Sequence, residues 1–345
     1  MAADGEAFAR DSLRDFTATP RLLQLALMAV IVGSMGAGAA WCLLRLIAFF
    51  TNLAYWGRLS TAPATIPAHL PLWSVAIPVV GSLVIGLMAR YGSEKIRGHG
   101  IPEAIEAILI GRSRIQLKVA LLKPLSSAIS IGTGGPFGAE GPIIMTGGAL
   151  GSLFAQLFHL TSAERKTLLV AGAAAGMTAV FGTPMAAVLL AVELLLFEWK
   201  PRSFIPVAVA AIVSFIWRPL LIGSGPLFPY LGDPAMPWWG LGLCAVAGLV
   251  AGAQSSLLTL LLYGMEDLFG ALPIHWMWWP ALGGLAVGIG GLIDPTVLGV
   301  GYDNIRLLLA GSLGLSAALM LLCDKAFVWI VALSSGTSGG VLAPL

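Results

Sequence analysis

The stretch Gly132-Thr133-Gly134-Gly135-Pro136-Phe137-Gly138-Ala139-Glu140-Gly141-Pro142 sets one carboxylate inside a glycine-rich break between apolar runs, in a chain of which only 10% is charged. A carboxylate at membrane depth is costly, and it marks a functional site by default. Glycines let the backbone leave helical geometry, and Pro142 suits the first turn of a new helix. N–H groups exposed at such a helix start attract anions. An acid side chain among those amides occupies the anion's place, and protonation loosens its hold. The stretch therefore predicts a helix beginning near Pro142 and a proton-sensitive anion gate at Glu140.

The flanking sequence puts this break in a membrane. With 58% apolar residues, 43 glycines, 11 tryptophans and a mean hydropathy of +0.91, the composition is that of a polytopic membrane protein rather than a soluble domain. Apolar runs fall at 22–50, 72–90, 143–159, 167–181, 184–197, 203–217, 239–264, 279–293 and 311–333. Several are shorter than the roughly 20 residues of a straight span, which predicts tilted or half-crossing helices bordering protein or a watery cavity. The first run is long and preceded by Asp4 and Glu6, so it reads as a retained helix behind a cytoplasmic segment of residues 1–20. A net charge of +2 argues against nucleic acid as a partner, and the basic groups Arg112, Arg114 and Lys118, or Lys200 and Arg202, read as interfacial anchors. Cys42, Cys244 and Cys323 lie in apolar runs without metal spacing and are expected in the core.

An internal repeat organises the chain. Pro78-x-x-Gly81-x-Leu83-x-x-Gly86 recurs as Pro280-x-x-Gly283-x-Leu285-x-x-Gly288, at an offset of 202. Lys123 and Pro142 match Lys325 and Pro344 at the same offset, while Gly98-x-Gly100 matches Gly299-x-Gly301 one residue out of register. Two copies of a membrane unit meeting at broken helices describe many transporters, with inverted topology expected and the substrate near the repeat interface. The first repeat is expected over about 21–220 and the second over about 237–345. The second is incomplete, because the counterparts of roughly 70–80 residues beyond Pro142 are not in this chain.

Gly98-His99-Gly100-Ile101-Pro102-Glu103, Gly138-Ala139-Glu140-Gly141-Pro142 and Gly339-Gly340-Val341-Leu342-Ala343-Pro344 resemble, in order, the three anion-site signatures of the CLC chloride channel and transporter family. The resemblance spans residues 21–345. It implies an all-α fold of two antiparallel repeats with re-entrant helices, a multi-pass protein of the bacterial inner membrane, and a homodimer with one pore per subunit. The implied activity is transmembrane passage of chloride or a similar small anion, by gated conduction or by exchange for protons. Chloride is then a substrate, and no bound cofactor is implied. Position by position, Glu140 matches the gating glutamate, and Val341 and Leu342 match the pair whose amides face the central anion. Gly98, His99, Gly100, Ile101, Gly138, Ala139 and Gly141 complete the anion-binding set.

Three positions depart from the family pattern. His99 stands where chloride-selective members carry a serine whose hydroxyl reaches the anion. A histidine offers a ring N–H or a titratable charge instead. Ala139 replaces a common arginine or lysine, which removes a positive charge. Phe181-Gly182-Thr183-Pro184 starts a helix on which Glu193 aligns with the first of two acids and Leu194 with the proton-relay acid of the exchangers. Glu193 is left as the candidate for a proton path, whereas Glu198 beside Lys200 and Arg202 reads as an interfacial ion pair. The family's tyrosine donor to the anion falls beyond residue 345.

Two other classes compete. Gly336-Thr337-Ser338-Gly339 resembles the nucleophile motif of rhomboid intramembrane proteases, but no histidine follows it to serve as base. An inverted-repeat carrier for an organic solute would spread polar side chains over several helices, whereas this chain concentrates its chemistry in three glycine-rich turns.

Overall fold

A computed structural model describes residues 20–229, 237–342 and 344. The cytoplasmic segment expected over 1–20 thus lies outside the described residues except for Pro20. Among the described residues twelve α-helices follow in order: α1 (Pro20–Thr51), α2 (Ala76–Leu87), α3 (Ile101–Leu109), α4 (Leu117–Gly132), α5 (Glu140–Gln156), α6 (Ser162–Phe181), α7 (Pro184–Ala191), α8 (Pro201–Leu221), α9 (Gly240–Gly270), α10 (Trp279–Ile293), α11 (Tyr302–Leu309) and α12 (Leu315–Ser334). Among the described residues there is no strand, only two isolated backbone bridges. Among the described residues six helical stretches have the length and apolarity to cross a membrane: Pro20–Trp56, Leu72–Gly92, Pro201–Leu221, Gly240–Gly270, Trp276–Ile293 and Leu315–Ser334. The fold is all-α and multi-pass.

The chain gathers into two compact units drawn from interleaved segments. The first holds residues up to Arg45, His99–Leu125 and Glu140–Leu227, and the second holds Leu46–Gly98, Ser126–Ala139 and the chain from Phe228 onward.

In the first unit α5 and α6 pack backbone to backbone. A Cβ placed on Gly147 would overlap the Gly172 carbonyl, one on Gly172 would overlap the Gly147 carbonyl, and Gly151 lies as tightly against Leu168. Between apolar helices in lipid, association comes from this kind of close van der Waals packing at small residues. α6 packs in turn on α8, whose Ser214 hydroxyl donates to the Ala175 carbonyl at 2.6 Å. α1 joins through Gly33 against Ala210 and Gly36 against Ala175. At the start of α6, Thr161 and Glu164 form a capping box, and Arg21 pairs with Glu164.

In the second unit the repeat becomes geometry. α2 packs against α10, and the contacts exchange under the offset of 202: Gly86 lies on the Met277 carbonyl while Gly288 lies on that of Val75. Inside each copy a further contact repeats, with Gly81 against Thr133 in the first and Gly283 against Ser335 in the second. Residue i touching j while the equivalent of j touches the equivalent of i is the signature of an isologous, two-fold contact. Gly86 and Gly288 therefore lie on the surface where the two copies meet. Gly134 (φ +103°) and Gly336 (φ +80°), again 202 apart, end the equivalent helices α4 and α12 in backbone that disfavours any side chain.

The three cysteines are exposed on α1, α9 and α12, contrary to the core placement expected from the sequence. A span apolar all round gives no indication of which face packs on protein and which is left outward.

Candidate functional site

The gate stretch folds differently from expectation at one point. α5 begins at Glu140, two residues ahead of Pro142, so the carboxylate occupies the first helical position and the proline falls harmlessly in the first turn, where no intrahelical N–H is required. Glu140 is 0% exposed. The side chain there stands at the positive end of the helix dipole, beside N–H groups that lack intrahelical partners.

Within the first unit α3 packs on α5, with Gly100 (φ +96°) so close to Gly141 that a Cβ would sit 2.5 Å from the Gly141 carbonyl oxygen. Two helix starts, Ile101 of α3 and Glu140 of α5, are thereby brought together, each directing N–H groups outward from its first turn. The Gly100 N–H is already engaged, donating to Glu103 Oε2 at 2.8 Å in a capping arrangement. His99 is half-buried, and its Nδ1 is buried with no hydrogen-bond partner among the described residues. Lys123 on α4 is fully buried. The π-helical turn Val192–Leu196 that extends α7 also touches α3, and Glu193 within it is exposed, on the same side as exposed Met185 and Leu189.

Within the second unit the other glycine-rich turns are laced together by their backbones. Gly138 and Gly340 exchange both bonds, at 2.9 and 2.8 Å. The Gly98 N–H donates to the Thr337 carbonyl at 3.0 Å, and Gly339 returns a longer bond of 3.4 Å to the Gly98 carbonyl. One segment, Thr337–Gly340, thus ties the first signature to the second. The consequence for the expected anion-binding set is direct. A backbone N–H carries one proton, and those of Gly98, Gly100 and Gly138 are each engaged in a bond within the protein that holds its turn in shape. Val341 is half-buried and Leu342 is exposed, while Ala139 is buried. Gly339 rests on the Phe137 side chain with no room for a Cβ.

Sequence reasoning passed over several groups around these turns. Arg97 lies 4.7 Å from the Trp276 ring centroid and 5.9 Å from that of Trp279, with its guanidinium against Gly336. Ser126 and Ser127 of α4 both hydrogen-bond Ser338, at 3.1 and 2.9 Å. No local pattern announces the serine contacts, because the partners are more than 200 residues apart. The same contacts remove the protease alternative: Ser338 is 0% exposed and bonded to two hydroxyls rather than to an imidazole. Glu198 forms the interfacial cluster expected, within 3.5 Å of Lys166, 3.9 Å of Lys200 and 3.7 Å of Arg202, and accepts from the Ser203 hydroxyl at 2.5 Å. Burial alone would raise its carboxyl, but the Ser203 hydroxyl and then Lys166, Arg202 and Lys200 outweigh that and hold it below the ordinary carboxylate range.

Crossing helices interrupted by glycine-rich turns, with a buried carboxylate at one helix start, define a polytopic transporter or channel whose polar chemistry sits at helix termini. Residues 80–345 match the voltage gated chloride channel family, and the chain belongs to that family. It is 28% identical over 99% of its length to the H(+)/Cl(−) exchange transporter ClcA of Citrobacter koseri, covering 72% of that protein. It is 29% identical over 92% of its length to the putative chloride channel protein ClcB-like of Ralstonia nicotianae, covering 75% of it. Among solved structures it resembles a slow cyanobacterial Cl−/H+ antiporter (TM-score 0.79, 22% identity, 95% of this chain and 77% of that one). A CLC-type fluoride/proton antiporter is similar in fold (TM-score 0.78, 20% identity, 95% of this chain and 80% of that one). Membership of this family makes the protein an anion transporter, by exchange or by channel conduction, and not an enzyme.

Proposed function

We propose that this protein passes chloride or a similarly small anion across the bacterial inner membrane, with Glu140 as the group that blocks the path when ionised and clears it when protonated. The observation that carries this reading is a fully buried carboxylate at the first position of α5, where the helix start attracts anions whether or not they are covalently part of the chain. The proposed anion contacts are, within the first unit, the amides of Ile101 and Gly141 and the His99 ring, and, within the second taken by itself, the amides of Val341 and Leu342. The anion is the substrate, and the proposal includes no resident cofactor.

A second copy of the chain is proposed against the outward face of α7. Glu193 stands there one turn beyond Leu189 and two beyond Met185, and a carboxylate on that face is costly against lipid but tolerable in an aqueous seam between protomers. Proton exchange, if it occurs, is assigned to Glu193, since Leu194 cannot titrate. The test is anion flux from proteoliposomes with pH recorded in the same vesicles. Chloride efflux that drives proton uptake identifies an exchanger, and efflux without proton movement identifies a channel. Absence of anion flux in both formats would refute the proposal.

A further inference from the structure

We propose that Ser338 is a positioning residue that sets the anion preference of the path: clamped by Ser126 and Ser127, it holds the backbone segment from which the Val341 and Leu342 amides project. The inference rests on the anion-path reading above and adds a residue that this reading does not use.

Three observations carry it. Ser338 is the only residue of Ser338–Gly340 with a side chain, so its hydroxyl is the one side-chain tether available to that segment. That tether is doubly held, by Ser126 Oγ at 3.1 Å and Ser127 Oγ at 2.9 Å, and all three serines are 0% exposed. The segment itself is the rung between two turns, bonded through Thr337 and Gly339 to Gly98 on one side and through Gly340 to Gly138 on the other. Upstream, the Ser335 and Thr337 hydroxyls lie 2.9 Å apart and each donates its proton to the Ala332 carbonyl, which pins the entry to the segment to the end of α12. Without the Ser338 tether, a run of two glycines would carry the next two amides with nothing but backbone to define their position.

Amides that discriminate between anions of different radius must be held to a fraction of an ångström. In a buried setting hydroxyl bonds are strong and unmade ones costly, so the clamp has a single favoured arrangement. α4 contributes no residue to the proposed anion contacts.

The experiment compares chloride and iodide flux in proteoliposomes for the full chain, Ser338→Ala, Ser127→Ala and the double variant. Loss of one to two hydroxyl bonds is expected to lower the chloride-to-iodide discrimination roughly three- to tenfold in Ser338→Ala. Ser127→Ala is expected to shift it in the same direction, and the double variant to go no further than Ser338→Ala, because both changes release the same tether. A merely structural role would lower both fluxes together and leave their ratio unchanged. That result overturns the inference. Should Ser338→Ala not accumulate, Ser127→Ala carries the same test alone, and an unaltered ratio there is equally fatal. Wild-type protein that moves no anion would overturn the anion-path reading and this inference with it. Wild-type protein that moves both anions without discrimination overturns the inference alone.

Discussion

Replacing Glu140 with glutamine removes the gate's charge while keeping its size, and the structure sets the scale of the effect. The carboxylate is completely buried and occupies the first position of α5. A helix start holds a partly buried negative group by up to about 2 kcal/mol. That hold is what an incoming anion must displace, and at 1.4 kcal/mol per tenfold it corresponds to as much as a roughly 30-fold handicap in apparent anion affinity. Glu140→Gln should remove the handicap. In flux measured against chloride concentration at several pH values, wild-type half-saturation should rise as pH rises and the gate ionises. The variant should show one low half-saturation throughout, close to the acid limit of the wild type, with flux retained or increased. A variant that keeps the wild-type pH dependence would place the titrating group elsewhere and refute the assignment.

Other substitutions test separate parts of the argument. Gly172→Ala drives a methyl into the Gly147 carbonyl, backbone against backbone, and should destabilise by about 1–3 kcal/mol, whereas Gly252→Ala on α9 meets nothing within 4 Å and should be neutral or stabilising by up to about 1 kcal/mol; thermal melting in detergent compares the two. Because the folded-state pKa of Glu198 is depressed, its contribution to stability is complete above the ordinary carboxylate value of about 4.3 and is lost as pH falls through the lower folded value. The gap in melting temperature between wild type and Glu198→Gln should therefore be constant near neutrality and close at acid pH, and a gap independent of pH would contradict the ion-pair assignment. If the wild type exchanges protons, Glu193→Gln should abolish proton movement while anion flux persists; retained coupling would exclude Glu193 as the relay.

How far these features were legible differs by element. The apolar runs foretold α1, α2, α5 to α10 and α12 to within a few residues, because a span must be apolar wherever it points. They passed over α4, which carries Lys118, Lys123, Pro124 and three serines, and the short α3 and α11. The repeat held the missing signal for α4, since adding 202 to Leu117–Gly132 lands within the plainly apolar α12. Glu140 was recognisable because a lone acid in a glycine-rich break at membrane depth is too costly to be retained without a role. The two-residue advance of the helix start was not, because Pro142 is compatible with any position in the first turn.

By itself the sequence determined the membrane class, the twofold repeat and the family, and marked Glu140 as the candidate gate, since each rests on residue type, spacing or order along the chain. Only the tertiary structure decided which amides of the glycine-rich turns are bonded within the protein. Gly98, Gly100 and Gly138 look like binding residues in one dimension, but their N–H groups are committed to Thr337, Glu103 and Gly340, and such bonds depend on which distant turns approach within about 3 Å. It also decided that the cysteines face outward, because lipid and protein core select the same side chains. The Ser126–Ser127–Ser338 clamp belongs to the same class: a hydroxyl in an apolar helix is satisfied locally or by a remote partner, and only the fold selects between them.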